Sequence, residues 1–490
     1  MNKLKRIAAL LLAVVLCLLS FPVDASAANL PYDTYNYDYW DNVTFTPAAY
    51  VPDGTISGVS LGVENFATPQ DVCVAPDGDL YIADTGNNRI IVVDDQTKKV
   101  SRIIDSFIRD GSEDSFNAPS GICISQNEQL YVADRENKRI VVLELDGTFV
   151  KTVQDPKSDV LADDYVFKPL KVSVDYADRV YCIAQNMFQG IMVFETDGHF
   201  SGFFGTINVT LSAWDKFWRR IATKEERENQ MLYIPTEFTG IDVDESGFVY
   251  ATNIDEDGDQ AVRRLNPRGE DVIKKGSREN VGGDVITGGS GVFAGPSQIT
   301  DVVYRGKGIY SLLDRKRGRI FTYDHEGNLL YIFGGMGSQE GSFTVPAAIE
   351  QWGGQILVLD SAKAEIYLFS STEYGSLINE AVALRYDGDE TLAVPLWERV
   401  LELDENNELA NSSIGKAYLS AGDNETAMKY LRIGMDREYY SVAFKRYRNE
   451  ILKAYLGYIL TGGIALIVVI YVAAKLIERR RYMKKGGSDT

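Results

Sequence analysis

Histidine is almost missing from this chain: 490 residues include two, His199 and His325. A zinc site needs three or four converging ligands and a histidine-based triad needs a placed base. Neither can be assembled from two imidazoles that each sit at an Asp-Gly-type turn (Thr196-Asp197-Gly198-His199; Asp324-His325-Glu326-Gly327), where both are expected to face solvent. Cysteine is scarce as well. Four are present, and Cys17 lies inside an apolar leader, preceded by Val15-Leu16 where a lipobox wants a small residue. The remaining three, Cys73, Cys123 and Cys182, are an odd number without tight spacing, which excludes a disulfide framework and favours buried small hydrophobes. Positive charge is short: 50 Lys and Arg against 70 Asp and Glu give a formal net charge of −20. A body so acidic repels nucleic acid, which demands neutralising cations.

Charge is locally absent in two places. Behind Lys3, Lys5 and Arg6, the chain runs apolar from Ile7 to Phe21 and reaches Ala25-Ser26-Ala27, an A-x-A cleavage pattern; residues 1–27 are expected to be a signal peptide. The 21 residues from Ala454 to Ala474 carry no charged side chain. At about 1.5 Å per residue they would span a bilayer core of ~30 Å. Lys475, Arg479, Arg480, Arg481, Lys484 and Lys485 follow, so the tail 475–490 is expected in the cytoplasm and the body outside, with 454–474 as a single transmembrane helix.

What is abundant between residues 44 and 375 is repetition. FATPQDVCVAPDGDLYIADTGNNRIIVVD from Phe66 aligns with FNAPSGICISQNEQLYVADRENKRIVVLE from Phe116 and FKPLKVSVDYADRVYCIAQNMFQGIMVFE from Phe167. The tyrosine of the Leu-Tyr step recurs at Tyr81, Tyr131 and Tyr181, then at Tyr250 and Tyr310, with Leu357 in its place last. Each copy reads as four short strands separated by turn residues, and such a unit buries both faces only when neighbours stack round a ring. Six copies predict an all-β six-bladed propeller. Tyr50–Ile56 resembles the closing hairpin Leu143–Phe149 yet precedes the first full copy, which suggests that it lends one strand or two to the last blade.

Ala83-Asp84, Asn88-Arg89-Ile90, Ala133-Asp134, Lys138-Arg139-Ile140 and Arg319-Ile320 resemble the NHL repeat family over roughly 300 residues. Blade three departs, with Gln189-Gly190-Ile191, and blade six with Glu365-Ile366. The repeated Arg is expected to bind the backbone of a neighbouring loop. The NHL-type amidating lyase, which uses several His, is excluded by content. A gluconolactonase-like hydrolase or lyase using carboxylate-bound Ca²⁺ remains as an alternative. Asp255, Asp257 and Asp259 alternate their oxygens in the manner Ca²⁺ favours, although the run lacks the Gly and terminal Glu of an EF-hand loop and a solvated acidic loop is the plainer reading. No catalytic residue and no other cofactor is expected.

Residues 28–43 form a Tyr-rich lead. Beyond Ser376 the pattern turns helical: Gly388-Asp389, Ala393 and Trp397 recur 34 residues later as Gly422-Asp423, Ala427 and Leu431, which is TPR-like, and 376–453 read as a stalk or a dock for a protein segment. A helical insertion is predicted at 206–234, carrying Trp214, Phe217 and Trp218, and a Gly-rich one at about 271–295. Both are expected on the rim shared with the loops inside each blade, so Asn87, Arg135, Phe188 and Arg315 join those three aromatics as candidate ligand-binding residues. The expected function is that of a membrane-anchored extracytoplasmic binding or scaffold protein whose rim recognises an envelope protein or a carbohydrate.

Overall fold

The computed structural model describes residues 30–156, 158, 160–161, 164–206, 237–255, 260–276, 280–284 and 293–485. The leader, the insertion with Trp214, Phe217 and Trp218, and Asp257 and Asp259 lie outside the described residues.

Six antiparallel sheets form the ring. Their first strands are Asp71–Val74, Pro119–Ile124, Pro169–Val174, Phe238–Val243, Ile299–Tyr304 and Pro346–Trp352. Each of these packs beside the next, and the last returns to the first, so they form the inner wall of a closed six-bladed propeller. Blades one, two, three and five have four strands in chain order. Blade six takes its fourth strand from the N-terminal side: Tyr50–Ser57 pairs antiparallel with Glu365–Ser371, with Ile56 opposite Ile366 and Tyr50 opposite Ser371. A single strand therefore closes the ring and covers an edge that would otherwise be a template for aggregation. Blade four differs from the expected pattern. It has three strands, and the fourth is reduced to one bridge between Leu265 and Asp271 before the chain leaves the blade.

The repeat signature acquires a structural meaning here. Asp84, at the end of the second strand, accepts from Ala67 N at 2.7 Å, and Asp134 accepts from Asn117 N at 2.7 Å, so each carboxylate clasps the chain entering its own blade. Arg89 holds Asp84 and donates to Glu64 O; Arg139 holds Asp134 and donates to Ser115 O; Arg319 donates to Asp33 O and Gly334 O. The expected backbone-gripping role of the repeated arginine is what these bonds perform. Cys182 is buried as expected, while Cys73 and Cys123 lie half-buried on the inner strands.

Helices α1 (Glu373–Tyr386), α2 (Glu390–Leu403), α3 (Glu408–Ser420) and α4 (Asn424–Ile433) follow. Thr372 caps α1 by accepting from Gly375 N, and Asn407 caps α3 by accepting from Ala410 N. The 34-residue offset is visible in the turns: Gly388 ends the connection after α1 at φ +91°, and Gly422 does the same after α3 at φ +87°. Ala393 and Ala427 are buried, as are Trp397 and Leu431. One apolar core runs from Tyr50, Tyr331 and Phe333 of the ring through Tyr374, Ile378 and Trp397 of the helices, so the two parts share a core rather than a linker. Helix α5 (Arg437–Lys485) is continuous for 49 residues, and around its uncharged middle stretch, 454–474, it is long and apolar enough to cross a membrane.

The Tyr-rich lead is a hairpin, Tyr35–Tyr37 with Val43–Phe45, strapped across blade five. Tyr35 and Tyr37 both donate to the carboxylate of Asp284, Asn36 donates to Leu329 O and Leu330 O, and Glu408 of α3 accepts from Tyr39 N at 3.2 Å.

Candidate functional site

Two places on the ring could carry function, the central channel and the upper rim. In the channel, the residues Asp71, Gly121, Lys171, Gly240, Asp301 and Ala348 occupy one equivalent position, each opposite the residue before the end of its second strand. Charge falls on odd blades and small residues on even ones. Lys171 Nζ reaches Asp71 at 2.5 Å and Asp301 at 3.2 Å, tying blade three to blades one and five. A Cβ on Gly121 would stand 2.5 Å from Leu170 O, and one on Gly240 would stand 2.6 Å from Asp301, so the close approach of neighbouring inner strands requires glycine.

Asp71 accepts from Ile122 N of blade two, and Asp301 from Ile349 N of blade six. Two residues along each strand, Asp242 accepts from Tyr304 N of blade five at 2.6 Å. These carboxylates thus satisfy inner-edge N–H groups that no further strand can reach. Asp242 and Glu350 share this second layer with Cys73 and Cys123, and no cation stands among them in the described residues. Burial pushes the Asp242 carboxyl up to about 7, and burial with repulsion from Asp242 holds Glu350 well above the usual carboxylate range. Burial likewise raises Asp301, to about 6 despite Lys171. This channel constellation was not foreseen from the sequence. Its signal was there, in charged residues at the inner-strand step where the other copies have Gly or Ala.

The upper rim is made by the loops between second and third strands and by the connections between blades, which hydrogen-bond one another: Gly86 N to Ala67 O, Glu136 N to Asn117 O, Gln185 N to Lys168 O, Arg315 N to Gln298 O. All four candidate residues in the described chain sit there. Asn87 is occupied, its amide donating to Asn65 O and Asp84. Arg135 pairs with Glu136, which also binds Lys168 at 2.7 Å. Phe188 and Arg315 are exposed. Ile108, Val160 and Phe293, on the connections between blades, also show apolar surface. Asp255 accepts from Gln260 N, which closes its loop, and among the described residues no three carboxylate, thiol or imidazole groups converge as a metal site would require.

Two expectations are corrected. His199 is exposed, but His325 is half-buried: its ring meets Tyr386 of α1 edge-on at 5.2 Å between centroids, because α1 packs on that turn. The connection after blade four does not stay on the rim. Gly276 lies against Gly327, at a turn of the opposite face, before the chain returns to Asp284.

A match to the NHL repeat covers residues 66–93 and 116–143. No curated protein matches the chain. Among solved structures, virginiamycin B lyase from Staphylococcus aureus is similar at 10% identity and TM-score 0.41, covering 66% of this chain and 100% of its own. A protein of unknown function from Bacteroides thetaiotaomicron is similar at 13% identity and TM-score 0.44, covering 66% and 73%. The PQQ-bound aldose sugar dehydrogenase from Streptomyces coelicolor is similar at 12% identity and TM-score 0.38, covering 66% and 98%.

Proposed function

We propose that this NHL-repeat β-propeller is an extracytoplasmic binding protein, held to the membrane by α5 through a TPR-like stalk, whose upper rim grips a protein or carbohydrate ligand. The observation that carries the reading is the division of the ring's two faces. The short turns of blade five at Lys307 and His325–Glu326 meet α1, with Lys307 paired to Asp387 and Glu326 to Arg385, so the stalk takes the lower face. The upper face, turned away from it, holds the longer connections between blades, and Ile108, Val160, Phe188 and Phe293 are exposed there. Elaborated loops on a rigid frame are where binding residues concentrate.

The channel supports binding over lactone chemistry. An internal ammonium already bridges Asp71 and Asp301, the position a cation would take in a carboxylate-bound Ca²⁺ site. Replacing residues 206–234 of the full-length protein with a short Gly/Ser linker should leave the melting temperature close to wild type, because surface loops change length cheaply. The same change should abolish capture of the ligand from intact envelopes. Undiminished capture would move the site off the rim. Protease added to intact cells (or to spheroplasts, where a second membrane encloses them) should digest the ring and spare a tag placed after Thr490, which tests the orientation.

A further inference from the structure

A second recognition site lies where the ring meets the stalk. There the strap hairpin, the Lys274–Gly276 segment, the Glu326–Leu329 turn and the starts of α3 and α5 enclose a groove of about 910 Å³. That volume is within the range of ligand-binding clefts, ~300–1,000 Å³. Its walls carry seven carboxylates against Lys274, Lys416 and Arg437. Two of the seven are neutralised, Glu326 by Arg385 and Asp436 by Lys416. The other five (Asp38, Asp404, Glu405, Glu408 and Glu438) take part in no ion pair among the described residues. Helix dipoles account for Glu408 and Glu438, each in the first turn of its helix. Asp38 accepts from Trp40 N and Asn42 N in its own turn and Asp404 accepts from the Tyr374 hydroxyl, but none of these bonds brings a cation to the five carboxylates that converge on the groove.

The groove is bordered by a free strand edge. Val43–Phe45 pairs with Tyr35–Tyr37 and with no other strand among the described residues. Thr46 N bonds to Thr34 O, so the alternation of an antiparallel pair turns the N–H of Phe45 away from the hairpin. Beside this edge Trp40, Val43 and Phe45 are 65%, 52% and 76% exposed, three large apolar side chains within six residues of one hairpin. An unpaired edge is a template for an incoming strand, with backbone bonds supplying affinity and side-chain pockets supplying selectivity.

We propose that this groove binds an extended, basic polypeptide segment. The segment adds as a third strand along Val43–Phe45, directs Lys or Arg side chains at the unpaired carboxylates, and lays an apolar residue on Phe45 and Trp40. The site is independent of the rim, and a segment seated there would touch the ring, the strap and the root of the anchor helix together.

The test uses the full-length protein in nanodiscs of neutral phospholipid and two labelled eight-residue peptides, one alternating Lys and Val and the other Glu and Val, read by fluorescence anisotropy. The Lys/Val peptide should bind saturably and the Glu/Val peptide should not. Glu405→Lys with Glu438→Lys, both exposed positions that tolerate reversal, should weaken binding about tenfold or more and flatten its salt dependence. Phe45→Pro, which removes the outward N–H and the ring, should weaken it independently of salt. No binding of the Lys/Val peptide, equal binding of both peptides, or affinity unchanged in the two variants would each overturn the proposal, whatever becomes of the rim.

Discussion

The lower face of the ring is built from turns that bond to themselves: Asp77, Asp146, Asp197, Asp244 and Asp324 each accept from backbone N–H groups two residues on, and over blade five α1 packs upon them. The upper face is built from longer connections, and these are held by the adjoining segment as well as by their own turns. Polar groups below are consumed by local turn geometry. Above, once Asp84, Asp134 and their arginines have fixed the loops, Arg315 and Phe188 are left exposed and Arg135 is engaged only by the neighbouring Glu136. If the rim binds as proposed, stability and recognition are assigned to different loops of the same blades. Substitutions that separate the two can break or sharpen the comparison.

The largest effect is expected at ring closure. Deleting Tyr50–Ser57 removes the fourth strand of blade six, the buried Tyr50 ring and the hydroxyl that ties Arg305 to Asn379. Thermal unfolding of the deletion protein should lose its single cooperative transition, and the exposed Glu365–Ser371 edge should drive aggregation. A deletion protein that melts like the parent would show that blade six closes without its borrowed strand.

Next comes the channel. Lys171→Met leaves Asp71 and Asp301 facing one another without a cation, and stranding a buried charge costs about 3–5 kcal/mol. Denaturant unfolding should register that loss, and adding Asp71→Asn and Asp301→Asn should restore much of it. If Lys171→Met alone is neutral, the ammonium does not hold the odd blades together.

A smaller effect depends on pH. Asp242 has a carboxyl raised from 3.8 to about 7, and Glu350 is raised as well. A carboxyl raised in the folded state binds its proton more tightly there than in the unfolded chain. Its stabilising contribution is therefore complete below the unfolded value near 4 and is lost as pH climbs through 7, at most about 1.4 kcal/mol per pH unit per group. The protein should melt higher at pH 5 than at pH 8. Asp242→Asn keeps one acceptor, for Tyr304 N or for Val243 N but not both, so it costs stability at every pH; by removing the titrating group it should still narrow the gap between pH 5 and pH 8. A gap unchanged in Asp242→Asn would place the pH dependence elsewhere.

The ring was legible because its information is local and repeated: Phe66, Phe116 and Phe167 open copies whose strands need no partner outside the family of repeats to be recognised. The helical pair was legible through Gly388 and Gly422 for the same reason. What could not be read were contacts between segments far apart in the chain. Nothing near Tyr35 announces Asp284, nothing near His325 announces Tyr386, and the Lys171 bridge joins residues 100 and 130 positions distant. The channel layers become visible only when the six inner strands are aligned by position rather than by similarity, since Asp71, Gly121 and Lys171 are equivalent without being alike. Blade four escaped because its missing strand leaves turn residues, Asn266-Pro267-Arg268-Gly269, that resemble those of a complete hairpin.

The smallest stability effect, and the sharpest test of divided labour, is expected within one rim loop. Arg135 and Arg139 are four residues apart on blade two. Arg139 binds Asp134 at 2.7 Å and Asp114 at 2.6 Å and donates to Ser115 O, and Asp134 is wholly buried. Arg139→Ala would strand that carboxylate, and a loss of about 3–5 kcal/mol is expected. Arg135 contacts Glu136 at 3.2 Å, and with Lys168 the three form an exposed chain of charges, with side chains 30%, 36% and 30% accessible. Exposed pairs contribute ~0–1 kcal/mol and are screened by salt. Arg135→Ala should therefore leave denaturant unfolding nearly unchanged, with Glu136 still held by Lys168, while weakening ligand capture at the rim. Should Arg135→Ala destabilise the ring as much as Arg139→Ala, the loop would be structural throughout and the upper face would lose its claim to surplus polar groups. Should it leave both stability and capture intact, recognition would rest on the apolar side chains of that face, and Phe188→Ser would become the decisive substitution.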